Sequence, residues 1–226
     1  MCSRFMHMRT LNYLAFALVL LALQWLSGTA CSAQTTAKIS STQAIMDYLA
    51  TMPGDAAGMG PELKLISDST LARVFPGYEF YGLKYMHDSA GPDASSLLSR
   101  SNVFAVSKDA NVKLIASKGP LQEFFGSQLA SVQTDDMAKD AVYCWLRLAE
   151  ELSYSGDYQF SIPVDAISVY RTAEEIRAAG KAVLNFSSGR AGQIGCTLTF
   201  DQTGALDKVQ EASVVEPVAT TPGGTH

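Results

Sequence analysis

Apolar positions along this chain are first continuous, then helically spaced, then alternating, and the changing period divides it into segments. Residues 11–26 (LNYLAFALVLLALQWL) are almost wholly apolar. They follow a stretch bearing Arg4, His7 and Arg9 without an acid, and they run into small residues from Ser27. Basic, apolar and small regions in that order describe a secretory signal peptide. The apolar run falls short of the ~20 residues a membrane span needs, and Asn12 and Gln24 shorten it further.

Residues 42–52 (TQAIMDYLATM) place Ile45, Met46, Leu49 and Met52 at helical spacing, with Ser41 or Thr42 available to cap the first turn. The following PGDAAGMGP at 53–61 is dense in Gly and Pro and predicts a loop. This short helix is therefore expected to pack loosely or to serve as a docking element. Alternation and aromatic enrichment in YEFYGLKYMH (78–87) predict a strand. Residues 102–117 (NVFAVSKDANVKLIAS) hold two β-rich runs broken at Lys108-Asp109-Ala110-Asn111, a hairpin whose Asp and Asn tolerate left-handed backbone.

Gly119-Pro120 opens a helical pattern with Leu121, Phe124, Phe125, Leu129 and Val132 on one face. Thr134 caps a second helix, TDDMAKDAVYCWLRLAEELS, whose Ala138, Ala141, Trp145, Leu148 and Leu152 form a stripe expected to be buried. Period two returns at residue 158. YQFSIPVDAISVYRT must bend or form an edge at Pro163. KAVLNFSS, GQIGCTLTF and GALDKVQEASVV read as three strands joined by SSGRAG and by Asp201-Gln202-Thr203-Gly204.

Hairpins, two helices and then a meander, without strand–helix alternation, predict an α+β fold: a mainly antiparallel sheet with two or three helices packed on one face, after an N-terminal signal segment. The expected organisation is a signal peptide over 1–33, then a tether, short helix and Gly/Pro-rich linker over 34–61. A single α+β domain follows over 62–215, with a disordered tail over 216–226.

The sequence GTACSAQ at 28–34 decides the fate of Cys31. Leu26 to Cys31 resembles a bacterial lipobox, with Gly28 standing where an aliphatic residue is usual; the resemblance implies that Cys31 becomes a lipidated first residue. Small residues at Cys31 and Ala33 also suit cleavage before Gln34 by a general signal peptidase. Either route leaves Cys144 and Cys196 as thiols. In an oxidising exported compartment, a Cys144–Cys196 disulfide is expected if the two face each other from helix and strand; buried, unpaired thiols are the alternative.

Chemistry is sparse. Beyond the leader the histidines are His87 and His226, and no CxxC, HExxH or Cys/His cluster marks a metal site. His87-Asp88-Ser89 are adjacent residues, which rarely point at one another as a catalytic relay requires. Asp135, Asp136, Asp140, Glu150 and Glu151 crowd one helix. Asp135 and Asp136 suit its N-terminus, and Glu150 and Glu151 are expected on its solvent side. The glycine-rich SSGRAGQIG at 187–195 leads into a strand rather than a helix, so it lacks the form of a phosphate cradle; its Arg190 is a candidate partner contact. Tyr81 and Tyr85 are further candidate contacts on an aromatic strand.

A formal charge of −5 and the absence of a basic stripe argue against a nucleic-acid partner. No cofactor and no catalytic residue is assigned. The expectation is an exported domain, periplasmic, extracellular or membrane-anchored through its leader or a lipid on Cys31. It is expected to bind a protein, peptide or cell-envelope component without catalysis. A secreted hydrolase using carboxylates and a structural envelope lipoprotein are the alternatives.

Overall fold

Helix α1 (Ser41–Ala50) starts at Ser40, whose hydroxyl accepts from the Gln43 N–H at 3.2 Å. The computed structural model to which it belongs describes residues 40–52, 62–84, 101–153, 158–187, 189 and 191–216. The leader with Cys31, the segment holding Tyr85 and His87, Arg190, and the tail from residue 217 lie outside the described residues.

The strands pair antiparallel throughout, in two sheets. The first has the order β1 (Glu62–Leu65), β2 (Tyr78–Lys84), β3 (Ser101–Ser107), β4 (Val112–Ile115). Between β1 and β2 lies α2 (Ser69–Val74), capped by Asp68 Oδ1, which accepts from the N–H groups of Thr70 and Leu71. The second sheet is the expected meander of β7 (Glu175–Phe186), β8 (Ala191–Asp201) and β9 (Leu206–Glu216). Its first edge is shared by β5 (Tyr158–Ser161) and β6 (Ser168–Arg171). Pro163 breaks the chain between those two short strands as expected. A 3₁₀ turn at Val164–Ala166 follows, and β5 and β6 pair with opposite halves of β7.

Two helices separate the strand groups in sequence. Helix α3 (Lys118–Gln128) begins two residues before Pro120, which costs nothing because first-turn N–H groups have no intrahelical partner anyway. Helix α4 (Asp135–Ser153) begins at Thr134, whose Oγ1 accepts from the Met137 N–H. The α+β class and antiparallel pairing are as the sequence predicts. The arrangement is richer than a single sheet with helices on one face, because α4 packs against both sheets.

This sandwiching explains the burial pattern. In β3, Val103 and Ala105 join the core shared with α3 and α4, whereas Phe104 and Val106 join a separate cluster under α1. Ile45 and Leu49 of α1 are fully buried in that cluster, so the short helix is a packed layer of the domain and not a loose appendage. Along α4, Val142, Leu146 and Ala149 are buried together with the predicted stripe of Ala138, Ala141, Trp145 and Leu148. A helix apolar around most of its circumference belongs between two layers.

Cys144 and Cys196 are both buried and both free, which corrects the expected disulfide. Cys144 faces a neighbourhood holding Asp68, Asp140 and Arg73, whereas Cys196 lies by Glu211 and Lys118. The two inward surfaces are real, but they present their thiols to different neighbours.

Candidate functional site

Two features combine open space with unusual polar placement: the free edge of the first sheet at β4, and a charged cleft at the C-terminal end of α4.

The hairpin sets the backbone polarity of β4. Ser107 N–H donates to the Asn111 carbonyl, and Ser107 Oγ accepts from the N–H groups of Asp109 and Asn111. Hydrogen-bonded and non-hydrogen-bonded pairs alternate along an antiparallel ladder. Lys113 and Ile115, opposite Ala105 and Val103, therefore spend their backbone groups on β3. Val112 and Leu114 turn theirs outward. Among the described residues no strand lies beyond them. A groove of about 660 Å³ runs along this edge, walled by Tyr48 of α1 on one side and by Pro120, Glu123, Phe124 and Ser127 of α3 on the other. The exposed Lys113 reaches over the Phe124 ring, 5.8 Å from its centroid.

The cleft, about 410 Å³, lies between β1 and β2 on one side and β5 on the other. Its base is an ion triad. Arg147 Nη1 donates to Glu150 Oε2 at 2.6 Å and Nη2 to Glu151 Oε1 at 2.8 Å, with both glutamates buried. Glu150 and Glu151 thus point inward, contrary to the expectation of a solvated face. The side of α4 that the sequence leaves for water is covered jointly by β1 and β2 of the first sheet and β5 of the second. The Arg147 guanidinium stacks 6.0 Å from the Phe160 ring of β5, and Glu151 Oε2 lies where a side chain on Gly82 of β2 would stand 3.0 Å away. Burial, then the neighbouring Glu151, raises the Glu150 pKa; burial lowers that of Lys84, against the pull of both glutamates. Tyr143, whose hydroxyl donates to Asp68 Oδ2 at 2.8 Å, is pushed up to about 12 by burial and then by that carboxylate.

Of the remaining acids of α4, Asp135 pairs with Arg171 and Asp140 with Arg73, while Asp136 lies in the first turn. Among the candidates read from sequence, Tyr81 is half-buried on the α1 side of the first sheet. Its hydroxyl donates to Glu79 Oε2 at 3.1 Å, next to Ser41, and burial raises its pKa. It lines neither the groove nor the cleft. Tyr85 and Arg190 lie outside the described residues. Tyr78 and Phe80 face the opposite side of β2, packing their rings on Phe124. Among the described residues no group of three or more His, Cys, Asp or Glu side chains could hold a metal ion.

Sequence reasoning missed the β4 groove and the cleft. The hairpin was legible, but which of its strands stays unpaired depends on sheet order. Comparison with protein-family models, curated proteins and solved structures returns no match for this chain.

Proposed function

We propose that this protein is an exported, non-catalytic domain that binds a protein, peptide or cell-envelope component, either tethered by lipid at Cys31 or released by cleavage before Gln34. The observation that carries the binding reading is the β4 edge, where outward backbone groups run along a groove walled by one helix on each side. Strand addition at such an edge draws affinity from main-chain hydrogen bonds and specificity from alternate side-chain pockets. The carboxylate-hydrolase alternative receives less support. Glu150 and Glu151 share one guanidinium, which leaves neither acid free of an ion pair to act as a general acid or base.

Selection of random displayed peptides against the wild-type protein and against Ser127→Trp, which fills the groove, tests the binding reading. Peptides retained by the wild type and lost by the folded variant support it; a selection that enriches no groove-dependent peptide overturns it. Intact mass of the natively expressed protein tests the address. An acylated start at Cys31 identifies the tethered form and a start at Gln34 the released form, while an uncut leader overturns both.

A further inference from the structure

We infer that the β4 groove selects an extended strand carrying a single acidic residue between two apolar ones; this rests on the binding reading above. Outward groups on Val112 and Leu114 require that a docked strand place its own hydrogen-bonded residues opposite those two. The residue between them then stands opposite Lys113, in the closer, non-hydrogen-bonded pairing, with Cα atoms ~4.5 Å apart. Residues opposite Val112 and Leu114 share the face of those side chains, where Tyr48 and the α1 cluster offer apolar contact. The residue opposite Lys113 faces α3 instead.

Charge decides which residue suits that central place. Lys113 is exposed, rests on an aromatic ring, and has no ion pair among the described residues. An acid there gains an opposite-charge cross-strand pair. Glu123 lines the same wall of the groove, so a run of acids is repelled where a single one is accepted. The same logic disfavours a second copy of this chain. Two β4 strands paired centre to centre would set Lys113 against Lys113 at the closest spacing, and β4 has four residues, too few to shift register without losing pairs.

The test titrates the ¹⁵N-labelled protein with the capped peptides Ac-Ser-Val-Glu-Val-Ser-NH₂ and Ac-Ser-Val-Lys-Val-Ser-NH₂. A version of the first is also used with its two valine nitrogens methylated. The expected result is movement of the Val112 and Leu114 amide signals and a preference for the glutamate peptide of about fivefold, the size of a favourable cross-strand charge pair. Lys113→Glu should reverse the preference, and methylation should abolish binding. Equal binding of both peptides, or a preference unmoved by Lys113→Glu, overturns the inference and leaves groove binding standing. If neither peptide binds while displayed peptides are still captured in a groove-dependent way, the acidic specificity falls alone. If nothing is captured, both readings fall together. A concentration-dependent dimer abolished by Leu114→Pro makes the occupant a second copy and overturns the inference.

Discussion

Gly180 of β7 lies so close beneath Val142 of α4 that a Cβ there would stand 2.7 Å from Val142 Cγ1, and 3.0 Å from Ile167 Cγ1. The missing side chain is what lets the helix settle onto the second sheet. Gly180→Ala is therefore expected to destabilise by about 1–3 kcal/mol through overpacking, measured by denaturant unfolding. Gly195→Ala, where the added carbon meets Ala212 O at 3.4 Å and Gly180 O at 3.8 Å, is the control. It should change stability by no more than about 0.5 kcal/mol.

Arg147 serves two buried acids, so its removal costs more than an exposed pair would. Arg147→Met should lose about 3–5 kcal/mol, the cost of stranding buried charge. Adding Glu150→Gln and Glu151→Gln should recover part of that loss. A single recovered unfolding transition in the triple variant would confirm the triad as a replaceable latch between sheets. A triple variant no more stable than Arg147→Met would contradict it.

The same triad predicts a pH dependence with a definite sign. Burial raises the folded-state pKa of Glu150 above its ordinary 4.5. Between the unfolded and folded values the native protein holds the extra proton, so stability is lost as pH rises through the folded pKa. Glu150→Gln removes that loss. The difference in stability between variant and wild type should therefore shift in favour of the variant as pH increases above about 4.5; a flat difference would show that Glu150 titrates normally.

Burial raises the pKa of both thiols, that of Cys196 to about 12 with Glu211 adding to the effect. Thiolate is the reactive form. Neither Cys144 nor Cys196 should alkylate in the native protein at neutral pH. Both should do so in denaturant without reductant, read by mass. Alkylation that requires reductant would reinstate the disulfide.

Ala110 closes the β3–β4 hairpin at φ 60°, a left-handed conformation that the sequence assigns to Asp109 or Asn111. Left-handed backbone costs an alanine about 1 kcal/mol that glycine avoids. Ala110→Gly should raise the unfolding midpoint; an unchanged or lower midpoint would show that relief of the left-handed alanine does not outweigh the added freedom of the unfolded chain and would contradict the prediction.

What the sequence made legible follows from where each signal is local. The cap at Thr134, the break at Pro163 and the turn at Asp201–Gly204 were readable because a side chain bonds its own backbone neighbours there, or a ring removes a donor, whereas α1 is capped by Ser40, one residue before the expected Ser41 or Thr42. The first half of β7, EIRAAG, went unread as a strand. Its inward residues Ala178 and Gly180 are small so that α4 can approach, and small residues carry little strand propensity. Glu150 and Glu151 were misplaced for a related reason. A helix covered by two sheets shows the same glutamates as one covered by a single sheet, and the second sheet is supplied by residues far along the chain. Four-residue β1 and six-residue α2 were too short to show a period at all.

The indole of Trp145, in the middle of α4, donates to Glu211 of β9 at 2.7 Å. That bond spans 66 residues, and it dates the folding of the molecule. When synthesis has reached Ser153, the long helix can meet the first sheet, but its other side still faces water. Val142 and Leu146 are covered only once β7 with Gly180 has been made, and Trp145 reaches Glu211 only after the last strand. The final quarter of the chain is thus the step that commits the rest. A nascent chain stalled before β7 should remain open to proteases and chaperones along the face of α4 that the second sheet covers, however complete its first half has become.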